Sequence, residues 1–271
     1  MTFRMIRTAV LVATLLLLPP GAAPIARAQG AVGADTLIAR MNAIELADRW
    51  QADGTVTIVN GASLRRRTVR ISVMRQGQTS RSYRRYSFVR PADISGTAIL
   101  VHENSAADND LWLYLPALGR ARRLTSSRLG ASFAGTDFAY VDLMPLKMEK
   151  YRHRILSEGM RGGQAYAVVD SRPIDPTYAR DTGYGAIRSF IFATGIPFRV
   201  EYDGVDGKPL KIQEIRDPIA APGGRSIMGR RTMTVVAGET GTPRNTVLTL
   251  ANVGFAPPIG ANDFTSERLS N

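Results

Sequence analysis

Residues 110–143 read DLWLYLPALGRARRLTSSRLGASFAGTDFAYVDL, and this stretch decides the fold. It opens as a strand with large apolar residues on both faces. Leu111, Leu113 and Leu115 point one way; Trp112 and Tyr114 point the other. Pro116 and Gly119 mark a turn. Arg120, Arg122 and Arg123 follow, and then a polar, glycine-bearing loop. A strand that is apolar on both sides is covered on both sides, by a second sheet, by helices or by a ligand. The alternatives are a filled core and a lined cavity.

Working outward, the chain begins with the pattern of a secretory leader. Arg4 and Arg7 precede an apolar run, Ala9 to Leu18, that is too short to span a bilayer. Ala26-Arg27-Ala28 is a small-x-small cleavage signature, which predicts a leader over 1–28 and a mature chain from Gln29. No later segment is apolar enough to span. The chain has no cysteine, which excludes disulfides, thiolate chemistry and cysteine-ligated metals together. The residues from 29 to 271 must therefore be held by their core, as one large β domain. The chain carries 35 Lys and Arg against 23 Asp and Glu. Without Arg4, Arg7 and Arg27 the balance is still +9, which favours anionic partners such as headgroups or acidic proteins. In an exported protein this argues against nucleic acid.

Ala34 to Trp50 reads as an amphipathic helix, with Leu37, Met41 and Ile44 at helical spacing and Asp53-Gly54 ending it. Most of the remainder alternates as short strands. Val69, Ile71 and Val73 lead to a turn at Gln76-Gly77-Gln78. Lys150 to Ser157 and Ala165 to Ser171 form a hairpin around Gly159, Gly162 and Gly163. Phe198, Val200 and Tyr202 run into Asp206-Gly207, a strong hairpin signal. Thr232 to Ala237 and Thr246 to Val253 add strands, and Asn262 to Leu269 reads as a short terminal helix. Consecutive hairpins imply an antiparallel sheet that must curl to protect its edges.

The catalytic inventory is thin, which argues against an enzyme. His102 and His153 each lie within a strand and lack a second histidine at ligand spacing, so no metal or cofactor is expected. Ser126, Ser127 and Ser132 lack a G-x-S-x-G elbow. Asp137 reads as an N-cap for a short helix or lid over Thr136 to Leu143. The aromatic residues fit either core or cavity wall, and Met144, Met148, Met160, Met228 and Met233 would suit an adaptable lining.

Several motifs together carry a resemblance. They are Phe88-x-x-Pro91-x-Asp93-Ile94-x-Gly96-Thr97, Leu111-Trp112-Leu113-Tyr114-Leu115-Pro116, Arg122-Arg123, and Phe133-x-Gly135-x-Asp137-Phe138. With Tyr202-Asp203 and Gly207-Lys208-x-x-Lys211, this set resembles the outer-membrane lipoprotein-sorting proteins of the LolA-like superfamily. The resemblance implies an α+β fold: a strongly curved, incomplete antiparallel barrel of about eleven strands, closed by an N-terminal helix and short lid helices. It also implies a periplasmic carrier that shields the acyl chains of a lipid or lipoprotein, working beside an inner-membrane exporter of the resistance-nodulation-division type. The absence of a lipid-accepting cysteine points to a soluble carrier rather than an outer-membrane-anchored acceptor, and the expected protein is a monomer touching membranes only peripherally. No gating residue carries over.

On that reading Phe88, Trp112, Tyr114, Phe190, Phe192 and Phe198 are expected to contact lipid. Phe133, Asp137 and Phe138 belong to a lid or partner loop over Thr125 to Asp137. Arg120, Arg122 and Arg123 are candidates for headgroups or an acidic partner. The competing reading is a sensor or accessory module that binds lipid or protein without transferring it.

Overall fold

The structure is a computed structural model, and it describes residues 32–79, 81–104, 107–236 and 244–270. The predicted leader, 1–28, lies outside these residues. Thirteen strands are present among them: β1 (Arg49–Asn60), β2 (Ser63–Arg75), β3 (Ser82–Arg90), β4 (Ala98–His102), β5 (Asp110–Leu115) and β6 (Arg120–Leu124) in the first half. The second half supplies β7 (Tyr151–Arg161), β8 (Gln164–Pro173), β9 (Tyr184–Phe192), β10 (Pro197–Gly204), β11 (Pro209–Ala221), β12 (Arg225–Val235) and β13 (Arg244–Phe255). Two helices accompany them, α1 (Ala34–Ala43) and α2 (Pro176–Thr182).

All thirteen strands form one antiparallel sheet in the order β6-β5-β4-β3-β2-β1-β13-β12-β11-β10-β9-β8-β7. Each half is a meander of neighbouring hairpins, and the β1–β13 pairing, from Trp50 opposite Phe255 to Asn60 opposite Arg244, joins them. The sheet curves but does not close. Its two edge strands, β6 and β7, are consecutive in sequence. The chain between them, residues 125–150, crosses the concave side from one edge to the other. A peptide segment thus bridges the gap where a closed barrel would have a ladder.

The expected eleven strands become thirteen. Alternation does not reveal β6, and in β1, where Trp50, Ala52, Val56 and Ile58 do alternate with Gln51, Asp53, Thr55 and Thr57, the helix reading carried to Trp50 covers it. In β1, Asp53-Gly54 lies inside the strand instead of ending a helix. A Cβ at Gly54 would sit 2.9 Å from Val69 Cγ1 and 3.0 Å from Leu248 Cδ1, so glycine there answers close packing between neighbouring strands. In β6 the run of arginines looks like loop, yet it pairs with β5 from Leu111 opposite Leu124 to Leu115 opposite Arg120. Charged residues on an exposed edge discourage pairing with other chains. The N-terminal helix also ends early, at Ala43, and Trp50 belongs to β1.

The main core lies on the concave face, where Val56, Val69, Ile71, Ile99 and Leu111 meet Phe133 and Phe138 of the crossing segment. A second cluster packs Leu37 and Ile38 of α1 against Ala167, Val169 and Ile191. The third lies on the opposite face of β4 and β5. There Ala98 and Leu100 are covered by Phe264 and Leu269 from two short 3-10 turns, which replace the predicted terminal helix. Burying residues such as Leu100 and Phe264 contributes roughly 1.5–3 kcal/mol each. No helix among the described residues is long and apolar enough to cross a membrane.

Candidate ligand cavity and its lid

Between the concave face and the crossing segment lies a cavity of about 190 Å³. Val56, Val69 and Ile71 line it from one half of the sheet, and Val200, Ile215 and Leu248 from the other. Met41, Ile44 and Glu45, from α1 and the turn after it, form one wall. Phe133, Phe138, Val141, Leu143 and Met144 form the cover. A second cavity, of about 320 Å³, opens between the β5–β6 edge and the cover. The two share Asn109, Met144, Lys147 and Tyr178, so Met144 and Lys147 stand at their junction.

The cover is held by polar bonds to the sheet. The Asp137 N–H donates to Thr246 Oγ1 at 3.0 Å, and that hydroxyl donates back to Asp137 Oδ2 at 2.7 Å. The other Asp137 oxygen meets Arg244, and Lys211 Nζ donates to the Asp137 carbonyl at 3.2 Å. Asp142 accepts from Lys211 Nζ at 2.6 Å, from the Tyr184 hydroxyl at 2.8 Å and from the Ala139 N–H at 2.7 Å. Tyr86 donates to the Leu143 carbonyl at 3.1 Å. Asn42 and Leu146 exchange two hydrogen bonds, and the Arg67 guanidinium donates to the Ala134 carbonyl. Asp137 is therefore an anchor to β11 and β13, not an N-cap. The 3-10 turn begins at Tyr140, and Asp142 supplies its N-terminal acceptor.

Tyrosines surround the cavity. Burial holds the phenols of Tyr86, Tyr151, Tyr184 and Tyr202 above their ordinary range, and the Asp142 charge adds to this at Tyr184 and Tyr202. Tyr178 is pushed up to about 12, chiefly by burial. These groups stay neutral hydroxyls at any physiological pH. The charged side chains reaching the cavity are paired: Glu45 with Arg231 at 2.6 Å, Asp142 with Lys211, Arg84 with Glu103 at 3.1 Å, and Lys147 with Glu149 at 3.5 Å.

The aromatic candidates divide by face. Phe88 packs in the concave core against Phe133, with ring centroids 5.5 Å apart, but does not line the cavity. Trp112 and Tyr114 lie on the opposite face, beneath the C-terminal turns, where Trp112 meets His102 edge to face at 4.7 Å. Phe190, Phe192 and Phe198 cluster with Tyr166 on the outer face of β8–β10, and Arg161 stacks on Phe198 at 4.4 Å. Two causes place them away from the cavity: Phe198 shares the alternation of the cavity-lining Val200 and Tyr202 but falls at the register shift between Pro197 and Arg199, and the others lie on the outer phase. Strand alternation assigns residues to two faces without saying which is concave. Phe133 and Phe138 do line the cavity.

The arginines split in the same way. Arg122 lies opposite Leu113, on the concave phase, with Arg120 two residues away on the same phase. Arg123 lies opposite Trp112 on the other phase, pairs with Asp110 and lines the second cavity, whereas Arg120 and Arg122 line neither, so the three do not form one patch. Among the methionines, Met144 and Met228 line the cavity, whereas Met233 is core, Met148 packs near α1 and Met160 is exposed. His102 Nε2 sits 2.6 Å from the Phe264 carbonyl, and His153 Nδ1 lies 2.8 Å from Ser171 Oγ. No cluster of three metal-ligating side chains occurs among the described residues.

Sequence reasoning missed Trp50, Ser189, Lys211 and Gln213 as concave-side residues. A signal existed for Ser189: Ile187-x-Ser189-x-Ile191 places a polar residue on the apolar phase of a strand.

Residues 81–271, more than half the chain, match a protein-family model described as "-like: Uncharacterized protein". No curated protein matches the chain. A Vibrio parahaemolyticus domain named for outer membrane lipoprotein sorting is similar over 88% of this chain and 98% of its own, with 25% identity and a TM-score of 0.79. A DUF1329 family protein from Desulfovibrio piger covers 87% of this chain and 97% of its own, at 20% identity and a TM-score of 0.76. A LolA superfamily protein from Nitrosomonas europaea covers 88% and 99%, at 19% identity and a TM-score of 0.66.

Proposed function

Because this chain belongs to the LolA-like family, we propose that it is a periplasmic carrier that shields the acyl chains of a lipid or lipoprotein between its sheet and its cover. The observation that carries this reading is the construction of the cover. The crossing segment meets the sheet with apolar side chains over the cavity and with polar bonds at its margins, as a lid that closes on an apolar guest would. In this reading the leader is removed after Ala28, and residues 29–271 are one lipid-binding domain. Loading from, or delivery to, an inner-membrane exporter of the resistance-nodulation-division type is part of the proposal.

Cavity size sets the mechanism. About 190 Å³ is close to the size that accepts benzene, and a C16 chain needs more. Displacing Met144 and Lys147 would join the two cavities, and lifting the cover would enlarge them further. The driving force is available. Each buried methylene contributes about 0.8 kcal/mol, so a C16 chain gains on the order of 10 kcal/mol before ordering costs. Arg120 and Arg122, exposed on the concave phase of the β6 edge, would then meet an anionic headgroup or an acidic partner, beside Arg123, which lines the second cavity.

The test is native mass spectrometry of the protein purified from its own periplasm, followed by transfer assays between donor and acceptor vesicles. Co-purified lipid that moves to acceptors at a protein-dependent rate supports the carrier. Bound lipid that never transfers would point instead to an accessory or sensor module. A lipid-free protein that also fails to take up added fatty acid would end the reading.

A further inference from the structure

The cavity wall formed by β9–β11 is not uniformly apolar. Ser189 stands between Ile187 and Ile191 on the inward phase of β9 and lines the cavity. It is 1% exposed, and its hydroxyl has no hydrogen-bond partner in the protein. Across the sheet its neighbour is Val200 of β10, and beyond that lies Gln213 of β11. Gln213 Oε1 already accepts from the Tyr202 hydroxyl at 3.2 Å. Tyr151, at the start of β7, also lines the cavity. Its hydroxyl lacks a hydrogen bond of good geometry, and its aromatic neighbour is Tyr178, set edge to face at 5.7 Å between centroids.

Buried hydroxyls are almost always hydrogen-bonded, because an unbonded one forfeits its hydration without return. A serine held on the apolar phase of a strand and aimed at a cavity is accounted for if the guest supplies its partner. The nature of that partner follows from the surroundings. Every charged side chain that lines the cavity already has an opposite charge beside it. An ionic group brought this deep would be desolvated without a free counter-charge. A neutral oxygen would not. The serine hydroxyl can donate to it and also accept from it.

We infer that the cavity recognises a neutral oxygen function, a hydroxyl, carried within the apolar part of its lipid, through Ser189. The inference rests on the carrier reading and adds the chemical class of the guest. It separates this cavity from one that takes any saturated chain.

The experiment uses the delipidated mature protein loaded with phenylnaphthylamine, whose fluorescence reports occupancy. Stearate is compared as a displacer with a panel of monohydroxystearates carrying the hydroxyl at different positions along the chain. At least one isomer should displace the probe at about tenfold lower concentration than stearate, the gain of one ordinary buried hydrogen bond. In Ser189→Ala that ratio should fall close to one, and Ser189→Val, which exchanges the hydroxyl for methyl groups, gives a second test of the same ratio. If no isomer outperforms stearate, the serine is satisfied by ordered water and the inference is overturned. An advantage that survives in both variants overturns it too. If stearate itself never displaces the probe, the carrier reading has failed, and the inference falls with it.

Discussion

Lys211→Met tests whether the cover is held by its ion pair. In the structure the Lys211 ammonium lies 2.6 Å from Asp142 Oδ2, donates to the Asp137 carbonyl at 3.2 Å, and sits over the Tyr184 and Tyr202 rings at 5.1 and 5.2 Å. The pair is enclosed, with the two side chains 10% and 2% exposed. Methionine keeps an unbranched apolar stem, one atom shorter, but leaves the Asp142 carboxylate without its cation. Removing one member of a buried pair costs roughly 3–5 kcal/mol. Asp142 retains its bonds from Tyr184 and Ala139, which places the cost near the lower end, about 3 kcal/mol. Asp142 lies on the cover, and lifting the cover lets it hydrate, so the cost falls on the closed state. At 1.4 kcal/mol per decade, the open fraction should rise roughly 100-fold. Hydrogen exchange reads this directly. The amides of Phe133, Asp137 and Tyr140, bonded within the cover or to β13, should lose about two decades of protection. Amides of β4 and β9 should change far less, and phenylnaphthylamine uptake should accelerate. Equal loss of protection in cover and sheet, or none in the cover, would refute the argument.

Three further outcomes are expected. Both tryptophans of the chain are placed by the structure, with Trp50 lining the cavity and Trp112 beneath the C-terminal turns. A fatty-acyl ligand should therefore shift the emission of Trp112→Phe as in the parent protein, and leave Trp50→Phe unmoved; the reverse pattern would place the guest elsewhere. Burial holds His102 and His153 below their ordinary value of 6.5. Below about pH 6.5 the unfolded chain binds protons that the folded chain does not, so stability present above that pH is lost on acidification. The melting temperature should drop between about pH 7 and pH 5.5, and drop less in His102→Gln; parallel curves would remove His102 from the effect. Finally, Arg120→Glu with Arg122→Glu should slow association with anionic vesicles and flatten its salt dependence, since exposed charges are screened over roughly 8 Å at physiological ionic strength. Unchanged association with an unchanged melting temperature would make these arginines only edge protection.

Much of the architecture is legible in the residues alone. Alternation along Val69–Val73 and Phe198–Tyr202, with Asp206-Gly207 after it, marks antiparallel hairpins because side-chain direction has period two and hairpin loops need a residue that accepts positive φ, as Gly207 does at 78°. The two-sided apolar strand at Leu111–Leu115 requires cover on both faces, and both are covered: Leu111 by the concave core, Trp112 by Phe264 and Leu269. The motifs around Trp112 and Phe133 also carry the family resemblance. These are local properties, readable within ten residues of themselves.

Tertiary structure decided which face encloses the cavity. Curvature accumulates over thirteen twisted strands, and its sense at Trp112 depends on pairings such as Trp50 with Phe255, about 200 residues apart. No local pattern holds that information, so the aromatics of β5, β9 and β10 looked equivalent to Ile71 or Ile215 as wall candidates. The polar anchors were hidden for a related reason. Lys211, Gln213 and Ser189 occupy inward positions, where alternation alone treats polarity as noise. Lys211 becomes meaningful only when Asp142, 69 residues away in sequence, is brought to it, and Gln213 and Ser189 only when the cavity they line is assembled. The residues specify strands and turns through short-range sterics; the cavity, its cover and the partners of its buried polar groups exist only where the curved sheet brings distant strands to face one another.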